Sequence, residues 1–384
     1  MLSCARVSVR VLFWSELYWP HVGGAEVFAR DVISALTARG HSFSVVTSMT
    51  SEAAAAEDVV DDVPVYRFPS RSWQGGRLEA FRASLSGVAA LKARLKPDLV
   101  HVNAVGPSAV FHLRTRTASA SPTLLTLQQQ VLDSQSAAGD TLLSELLRRA
   151  AWVVGCSSHA LTQARHLVSD LDVRSSTILN GIPTPSLMPA PLPLDPARLL
   201  CLGRLVPAKG FDLAIAAFAR VRDRFPGLTL DIAGDGPERE RLVADASRLG
   251  VNDAVRFRGW VEPSEVCELI NAVTLLLMPS RREGLPIVSL QAAHMGRPIV
   301  GTMAGGLSEV VEHGVTGWLC RVDDEAALTD ALATALSRPG ELLRMSDAAT
   351  ARARAAFDWR STVDSYDELY RRLAEAERDT EGAA

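Results

Sequence analysis

Short apolar or β-branched runs alternate with longer amphipathic segments along most of the chain. In the first half these runs predict strands at residues 7–13, 43–47, 63–68, 99–103, 123–127, 152–156 and 177–179. The segments between them have helical periodicity, and within residues 25–39 one apolar stripe is formed by Val27, Val32, Ile33 and Leu36. Strands that alternate with helices in this way predict a parallel sheet covered by helices on both faces.

A proline-rich stretch divides this pattern into two halves. Six prolines fall within residues 183–196, where they stiffen the chain and remove backbone donors. Predicted strands then resume at residues 199–202, 228–233, 255–257, 273–278 and 298–301. The pattern therefore predicts an α/β protein with two doubly wound domains, residues 1–182 and 197–355, joined by a linker of residues 183–196.

Residues 356–384 form a separate C-terminal segment. Its helical pattern places five apolar side chains on one face, at Val363, Tyr366, Leu369, Tyr370 and Leu373. We expect that face to be buried against one of the domains.

Composition and charge restrict the possible functions. The chain has 384 residues, of which 47% are hydrophobic and 22% charged, as in a globular protein. Its net charge of -4 argues against a nucleic-acid-binding surface. No apolar run approaches the ~20 residues of a membrane span, and the first one is too short for a signal sequence. We expect a cytoplasmic protein, and contact with the inner face of the membrane stays open.

The first candidate site follows the predicted strand at 199–202. Gly203 and Gly210 enclose Arg204 and Lys209 in a turn that leads into a helix. Ligands of open α/β sheets bind at the carboxyl ends of strands, where helix N-termini favour anions. Arg204 can fork onto phosphate oxygens and Lys209 can act as a compact charge. A solvated turn with two surface cations is the alternative.

The second candidate site follows the predicted strand at 273–278. Glu283 can accept hydrogen bonds from sugar hydroxyls, and the amides of Gly284 and Leu285 can face a phosphate. Gln291 comes eight residues after Glu283, about two helical turns, and so is expected near the same face. An acid that caps a helix is the alternative for Glu283.

Two glycine pairs stand at further strand-to-helix turns. Gly23 and Gly24 precede the first helix, and Gly305 and Gly306 recur in the second domain. Glycine lets the backbone approach a ligand closely, and the helix start beyond it favours negative charge. Tight turns also use such pairs without any ligand.

In order along the chain, these motifs resemble those of the family-4 glycosyltransferases of the GT-B fold. The family's Pro-x-x-Gly-Gly-x-Glu motif is matched by Pro20 and residues 23–26, and its Gly-Arg and Lys-Gly pairs by residues 203–204 and 209–210. The segment around Glu283 and the turns at residues 234–236, 305–309 and 314–317 are also similar.

The resemblance implies two Rossmann-like domains facing each other across a cleft, with the last helix crossing back to the first domain. The second domain would bind a UDP- or GDP-linked sugar and the first a hydroxyl acceptor, such as a lipid-linked or polysaccharide intermediate or a small metabolite. Transfer would retain the anomeric configuration and need no metal, no cofactor and no protein nucleophile. Arg204 and Lys209 would stabilise the leaving diphosphate.

Two positions depart from the family's pattern. The family commonly has a second glutamate where this chain has Gln291, and a histidine where the best match is Gln128. Glutamine keeps hydrogen-bonding capacity but carries no charge, so the resemblance implies that Gln128 contacts the donor sugar or phosphate as a neutral group. Gln128 would then be a catalytic residue together with Arg204, Lys209 and Glu283. His101 ends a neighbouring strand and is either a site residue or a satisfied surface histidine.

Other functions remain open beside retaining transfer. A non-catalytic nucleotide-sugar-binding homologue is compatible with Gln128 and Gln291, and the fold also serves sugar-nucleotide epimerases and phosphorylases. A basic segment could also face an anionic membrane or a phosphorylated acceptor, although a solvated helix face is the commoner case. Its basic residues are Arg67, Arg71, Arg77, Arg82, Lys92, Arg94 and Lys96.

Overall fold

The computed structural model describes residues 7–49, 54–69, 78–128 and 141–382. The chain divides into two compact units. Unit 1 is Met1–Leu179 together with Arg360–Ala384, and unit 2 is Asn180–Trp359. The main chain therefore passes from one unit to the other twice. Among the described residues no helix is both long and apolar enough to cross a membrane.

Unit 1 is built on an eight-stranded sheet in the order β3-β4-β2-β1-β5-β6-β7-β8. The strands are β1 (Arg10–Ser15), β2 (Ser42–Ser48), β3 (Glu57–Val60), β4 (Val63–Phe68), β5 (Leu99–Asn103), β6 (Thr123–Leu127), β7 (Trp152–Gly155) and β8 (Ser175–Thr177). The helices are α1 (Gly24–Thr37), α2 (Leu78–Leu95), α3 (Ala109–Arg114), α4 (Leu142–Arg149), α5 (Ser158–Leu167) and, at the end of the chain, α13 (Trp359–Gly382).

The central strands coincide best with the prediction. β5 and β6 are buried along their whole length, and both have the predicted bounds. Their neighbours are parallel, as expected, but β3 pairs with β4 in antiparallel orientation. The two-residue turn between them has positive φ angles of 50° at Asp61 and 63° at Asp62, as a type I′ hairpin requires. This hairpin was not predicted, and the strand expected at residues 177–179 lies two residues earlier, at β8.

The C-terminal helix α13 packs on unit 1 through the predicted apolar face. All five of its apolar side chains are buried: Val363, Tyr366, Leu369, Tyr370 and Leu373. The Tyr370 hydroxyl lies 2.6 Å from Nδ1 of His101, whose Nε2 lies 2.8 Å from Oγ1 of Thr126. His101 is therefore a buried structural residue, and the expectation of a surface or site histidine was wrong.

The burial of His101 makes the stability of unit 1 pH-dependent. Burial lowers the pKa of its imidazole to about 3, whereas an unfolded histidine titrates near about 6.5. Between these values the unfolded chain binds the extra proton, so stability falls as the pH falls. We expect His101→Asn to reduce the slope of unfolding free energy against pH by about 1.4 kcal/mol per pH unit in urea titrations. The exposed His21→Asn variant should keep the wild-type slope, and an unchanged slope in His101→Asn would contradict this account.

The predicted basic segment of unit 1 is not a uniform surface. Arg67 is 6% exposed and donates to the Trp19 carbonyl, and Lys92 is 1% exposed. The Lys92 ammonium nitrogen lies 3.0 Å from Nδ1 of His112, and burial lowers the lysine pKa to about 7. Arg82, Arg94 and Lys96 are exposed, and Arg71 and Arg77 lie outside the described residues. Arg67 and Lys92 therefore cannot face a membrane.

Unit 2 has a six-stranded, all-parallel sheet in the order β11-β10-β9-β12-β13-β14. The strands are β9 (Arg198–Leu202), β10 (Thr229–Ala233), β11 (Val255–Gly259), β12 (Leu275–Met278), β13 (Ile299–Thr302) and β14 (Gly317–Cys320). The helices are α6 (Phe211–Val221), α7 (Arg239–Arg248), α8 (Val266–Asn271), α9 (Ile287–His294), α10 (Leu307–Val310), α11 (Glu325–Ser337) and α12 (Pro339–Ala356). Only β14 was not predicted as a strand.

The proline-rich stretch lies within unit 2 and packs on its hydrophobic core. Leu192 is buried in the same hydrophobic cluster as Leu199 and Phe218. The buried guanidinium of Arg297 donates to the carbonyl of Ala190, 2.9 Å away. Much of residues 183–196 is therefore fixed to the surface of this unit.

Candidate active site

The turn after β9 is held by main-chain contacts with the end of β10. The N–H of Gly203 donates to the carbonyl of Ala233 over 3.0 Å, and the N–H of Leu205 donates to Asp235 over 2.9 Å. Gly234 has a φ of +127°, and a Cβ on it would lie 1.9 Å from the carbonyl oxygen of Gly203. Only glycine fits at position 234, which explains the close approach of the two turns.

A second glycine sets the start of α6. Gly210 has a φ of +65°, and a Cβ on it would lie 2.1 Å from the carbonyl oxygen of Pro279. Pro279 directly follows β12. The close contact brings the 3-10 turn Pro207–Lys209 beside the loop after β12.

The two candidate sites of unit 2 meet in an ion pair. The Lys209 ammonium lies 2.6 Å from Oε1 of Glu283, and the Ser280 hydroxyl donates to the same oxygen over 2.6 Å. The Glu283 side chain is 7% exposed and that of Lys209 is 25% exposed. An ammonium has three N–H donors, so Lys209 can bind Glu283 and a phosphate oxygen at the same time.

Glu283 keeps one oxygen for a ligand. Both of its contacts use Oε1, and Oε2 accepts no hydrogen bond from the part of the chain that the structure describes. A carboxylate oxygen placed in this way can accept hydrogen bonds from hydroxyl groups. The interpretation of Glu283 as a helix cap does not fit, because α9 begins only at Ile287 with Pro286 before it.

Arg204 is the exposed cation of this site. It follows Gly203 directly and forms no salt bridge with any residue in the described ranges. Its guanidinium is therefore available for an anion at the end of β9. The structure does not bring Arg204 into contact with the Lys209–Glu283 pair.

Arg281 joins the same loops and was not predicted. Its guanidinium forks onto Asp212 with distances of 3.0 and 2.9 Å and donates to Asp323 over 2.6 Å. The guanidinium also donates to the Pro207 carbonyl over 2.7 Å. The main-chain N–H of Arg281 donates to the Ala208 carbonyl over 2.8 Å. Hydrogen bonding to Asp212 raises the pKa of the guanidinium further above its usual value. Arg281 therefore holds the turn that carries Lys209.

The remaining donor-site candidates of unit 2 lie around α9 and α10. Gly284 is half-buried and Leu285 is buried. Gln291 is a half-buried residue within α9, but Glu283 precedes that helix, so helical spacing does not set the distance between the two side chains. Gly305 and Gly306 follow β13 as predicted, and Gly305 has a φ of +52°. Gly306 directly precedes α10.

Unit 1 has a polar group at the carboxyl ends of its central strands. The amide of Gln128, after β6, donates to Oδ1 of Asn103, at the end of β5, over 3.0 Å. Both side chains are buried, and Nδ2 of Asn103 has no partner among the described residues. Glu16, after β1, accepts hydrogen bonds from the Ser48 hydroxyl at 2.7 Å and the Ser108 N–H at 2.8 Å.

Glu16 and Asn103 were missed by the motif analysis. Their signal in the sequence was their position at strand ends, because parallel strands bring their carboxyl ends to one edge of a sheet. The residues at this edge are mainly neutral hydrogen-bonding groups. Such groups suit a hydroxylated ligand better than a phosphate.

The glycine pair of unit 1 lies at the start of α1. Gly23 caps the helix in an extended conformation, and Gly24 is its first residue. The Glu26 carboxylate bends over Gly23, so that a Cβ there would lie 2.5 Å from Oε2 of Glu26. The chain's own carboxylate thus lies at the helix N-terminus where an anion was predicted to bind. Within the described ranges, no three His, Cys, Asp or Glu side chains are grouped to hold a metal ion.

Two family models match consecutive parts of the chain. The model described as Glycosyltransferase Family 4 matches residues 22–186, which include the strand-end group of unit 1 except Glu16. The model described as Glycosyl transferases group 1 matches residues 189–352, which include Arg204, Lys209 and Glu283. The chain belongs to glycosyltransferase family 4. The predicted family is thereby confirmed.

This family-4 glycosyltransferase is similar to two proteins of Mycobacterium tuberculosis. It is 33% identical to a glycogen synthase over 240 residues, which cover 61% of this chain and 57% of the synthase. It is 28% identical to the GDP-mannose-dependent alpha-(1-6)-phosphatidylinositol monomannoside mannosyltransferase over 97% of this chain and 99% of that protein. A D-inositol 3-phosphate glycosyltransferase of Acidothermus cellulolyticus is 37% identical over 44% of its length. The chain thus spans about half the length of several relatives that it matches.

Solved structures share the fold of this family-4 glycosyltransferase. Sucrose-phosphate synthase from Thermosynechococcus elongatus has a TM-score of 0.84 at 22% identity, over 96% of this chain and 100% of that one. Anabaena HepE in complex with UDP and glucose has a TM-score of 0.77 at 21% identity, over 94% and 99%. Together with the two α/β units, these similarities confirm the predicted GT-B fold.

Proposed function

We propose that this protein transfers a sugar from a nucleoside-diphosphate sugar to a hydroxyl group of an acceptor. The observation that carries the proposal is the Lys209–Glu283 ion pair, held at the carboxyl ends of β9 and β12, with the exposed Arg204 in the same turn as Lys209. It combines cations for a diphosphate with a carboxylate oxygen for sugar hydroxyls. The named activities of the relatives support the same reaction class.

In the proposed reaction, Arg204 and Lys209 bind the diphosphate and stabilise the negative charge that develops as it leaves. Oε2 of Glu283 accepts a hydrogen bond from a hydroxyl group of the donor sugar. The acceptor oxygen attacks the anomeric carbon from the face that the diphosphate leaves, and its proton passes to a leaving phosphate oxygen. The configuration is thereby retained without a protein nucleophile or a metal. Gly203, Gly284, Leu285, Gln291, Gly305 and Gly306 contribute main-chain or neutral contacts to the donor.

The neutral residues at the strand ends of unit 1, Asn103 and Gln128, lie on the proposed acceptor-binding side of the reaction. Asn103 and Gln128 present amide groups, and Nδ2 of Asn103 is a buried donor without a described partner. This amide N–H is suited to a hydrogen bond with a hydroxyl oxygen of the acceptor substrate. Gln128 also stands where the family has a histidine, and its amide is proposed to contact the donor sugar or phosphate. Gly23 and Gly24, at the start of α1, are proposed to contact the donor through their main chain.

The donor base is proposed to be uracil or guanine. The name of the mycobacterial mannosyltransferase specifies GDP-mannose, and HepE has been solved with UDP-glucose. A thermal-shift panel of uridine, guanosine and adenosine diphosphate sugars tests this proposal, followed by mass spectrometry and NMR of the products. We expect stabilisation by one donor class and an α-linked product from an α-linked donor. No donor-dependent shift would contradict the proposal, and tight binding without turnover would favour a nucleotide-sugar sensor instead.

Arg281 should affect transfer through its hold on the Lys209 turn. Lysine cannot fork onto Asp212, so we expect Arg281→Lys to lower kcat/KM for the donor about tenfold, or about 1.4 kcal/mol. Arg222 is a matched control, because it forks onto Asp253 with distances of 2.7 and 2.9 Å after the opposite end of α6. Arg222→Lys should leave initial rates unchanged. Equal rates for both variants would remove Arg281 from the site.

Membrane contact through the basic segment is a separate proposal. With Arg67 and Lys92 buried, it depends on Arg82, Arg94 and Lys96 among the described residues. Liposome flotation with and without anionic lipid tests whether the protein binds to a membrane surface through these residues. Binding that requires anionic lipid would support the proposal, and lipid-independent behaviour would contradict it.

A further inference from the structure

Unit 2 has an arginine-lined cavity near the amino-terminal ends of its strands. Its volume is about 320 Å³, near the lower end of the range of ligand pockets. Leu269 and Val273 contribute apolar surface. The polar lining comes from three neighbouring strands and consists of Arg198, Thr229, Asp231, Arg256 and Arg258. The Lys209–Glu283 pair follows the opposite, carboxyl ends of β9 and β12.

Strand register explains why these side chains lie on one face. Arg198 on β9 pairs with Thr229 on β10, and Asp231 pairs with Arg256 on β11. Paired residues of neighbouring strands share a face of the sheet, and so do residues two apart along a strand. Arg258 therefore joins Arg256 on that face. The sequence brings three cations to a single patch across β9, β10 and β11.

The charges of this cavity are not balanced by the residues that the structure describes. Asp231 forms a salt bridge with Arg258 at 2.8 Å through Oδ2. Arg198 and Arg256 are exposed, and neither forms a salt bridge with a residue that the structure describes. Oδ1 of Asp231 is buried and has no hydrogen-bond partner in the described ranges. The cavity thus offers two uncompensated guanidinium groups and one buried acceptor.

We propose that this cavity binds a small phosphate monoester that carries hydroxyl groups, of the sugar-phosphate or polyol-phosphate class. Arg198 and Arg256 bind the phosphate, because guanidinium groups match its oxygens in pairs of hydrogen bonds. A ligand hydroxyl donates to Oδ1 of Asp231 and satisfies that buried acceptor. The ligand's carbon skeleton lies against Leu269. This site is separate from the proposed diphosphate site and does not depend on it.

Calorimetry on the full chain tests the proposal with inorganic phosphate, glycerol 3-phosphate and glucose 6-phosphate as probes. The titrations use the Lys209→Ala background, which weakens binding at the diphosphate site. We expect Arg198→Gln combined with Arg256→Gln to weaken binding of both esters at least about tenfold. Arg248→Gln, an exposed arginine paired with Asp245 on α7, is the matched control and should bind normally. Unchanged affinity in the double variant, or no binding of any probe at millimolar concentration, would overturn the site.

Asp231→Asn tests the hydroxyl contact separately. The substitution removes a negative charge from the cavity, so inorganic phosphate should bind as well or better, while the preference for the esters over inorganic phosphate should fall. An unchanged preference would overturn the role of Asp231. A phosphate monoester also occurs on lipid headgroups, so flotation with vesicles that contain phosphatidylinositol 4-phosphate distinguishes the two sources. Flotation lost in the arginine double variant would identify a headgroup, and calorimetric binding without flotation would identify a free metabolite.

Discussion

Replacing Lys209 with alanine is expected to lower kcat about 100- to 1000-fold, as removal of a single preorganised charge donor commonly does. The ammonium is the only cation described in contact with Glu283, and it is the proposed partner of the leaving diphosphate. Arg204→Ala should reduce kcat by a similar factor. Initial-rate measurements with saturating donor give both values, with Arg220→Ala as the control. Arg220 is an exposed arginine of α6 paired with Glu325.

The two variants should differ in stability. Arg204 is exposed and without a described salt bridge, so its loss should not change the unfolding midpoint. Loss of Lys209 leaves the buried Glu283 carboxylate with only the Ser280 hydroxyl, which should lower stability. Adding Glu283→Gln to Lys209→Ala removes that uncompensated charge, so stability should recover while activity does not. Near-normal transfer by both single variants would refute the phosphate-binding role.

Gly210→Ala is expected to produce a large loss of stability. The left-handed backbone at this position costs a non-glycine residue about 1 kcal/mol or more, and the new Cβ would lie 2.1 Å from the Pro279 carbonyl oxygen. Relieving that overlap requires a shift of main chain, so we expect a total loss of at least about 3 kcal/mol in urea unfolding. Transfer should also fall, because the neighbouring Lys209 moves with the turn.

Gly250 provides a matched control for this substitution. Its φ of +69° is close to the +65° of Gly210, but a Cβ at Gly250 would meet no atom within 4 Å. Gly250→Ala should therefore lower the free energy of unfolding only by the cost of the left-handed backbone, about 1 kcal/mol. Transfer should be intact. Equal losses in the two variants would mean that the contact with Pro279 does not constrain the turn.

The sequence predicted the fold well where periodicity and burial agree. β5 and β6 are buried on both faces, and their bounds were predicted without error. β3 was missed because it begins with two acids at Glu57 and Asp58 and is largely exposed, so it carries no apolar pattern. β14 was missed because it is only four residues long and begins with glycine. Strands at sheet edges therefore carry little apolar pattern, because hydrogen bonding to a neighbour defines them.

The candidate site was predicted as separate motifs rather than as a geometry. Glycine spacing and residue type indicated Arg204, Lys209 and Glu283. The ion pair between Lys209 and Glu283 was not predicted, because the two residues are far apart in the sequence. Arg281 stands beside another arginine in the sequence, and its contacts with Asp212 and Asp323 join residues that are far apart along the chain. Such positioning residues depend on tertiary proximity, which no local pattern contains.

The return of α13 to unit 1 has a consequence for biosynthesis. During translation all of unit 2, through Trp359, leaves the ribosome exit tunnel before the last helix of unit 1 emerges. Until then the Tyr370 ring that packs against His41, Phe43 and His101 is missing from the nascent chain. Domains generally fold as units during synthesis, so unit 2 can finish folding first although it is encoded second. A message truncated after codon 359 would leave an apolar surface of unit 1 uncovered, which makes such products natural substrates for chaperones and proteases.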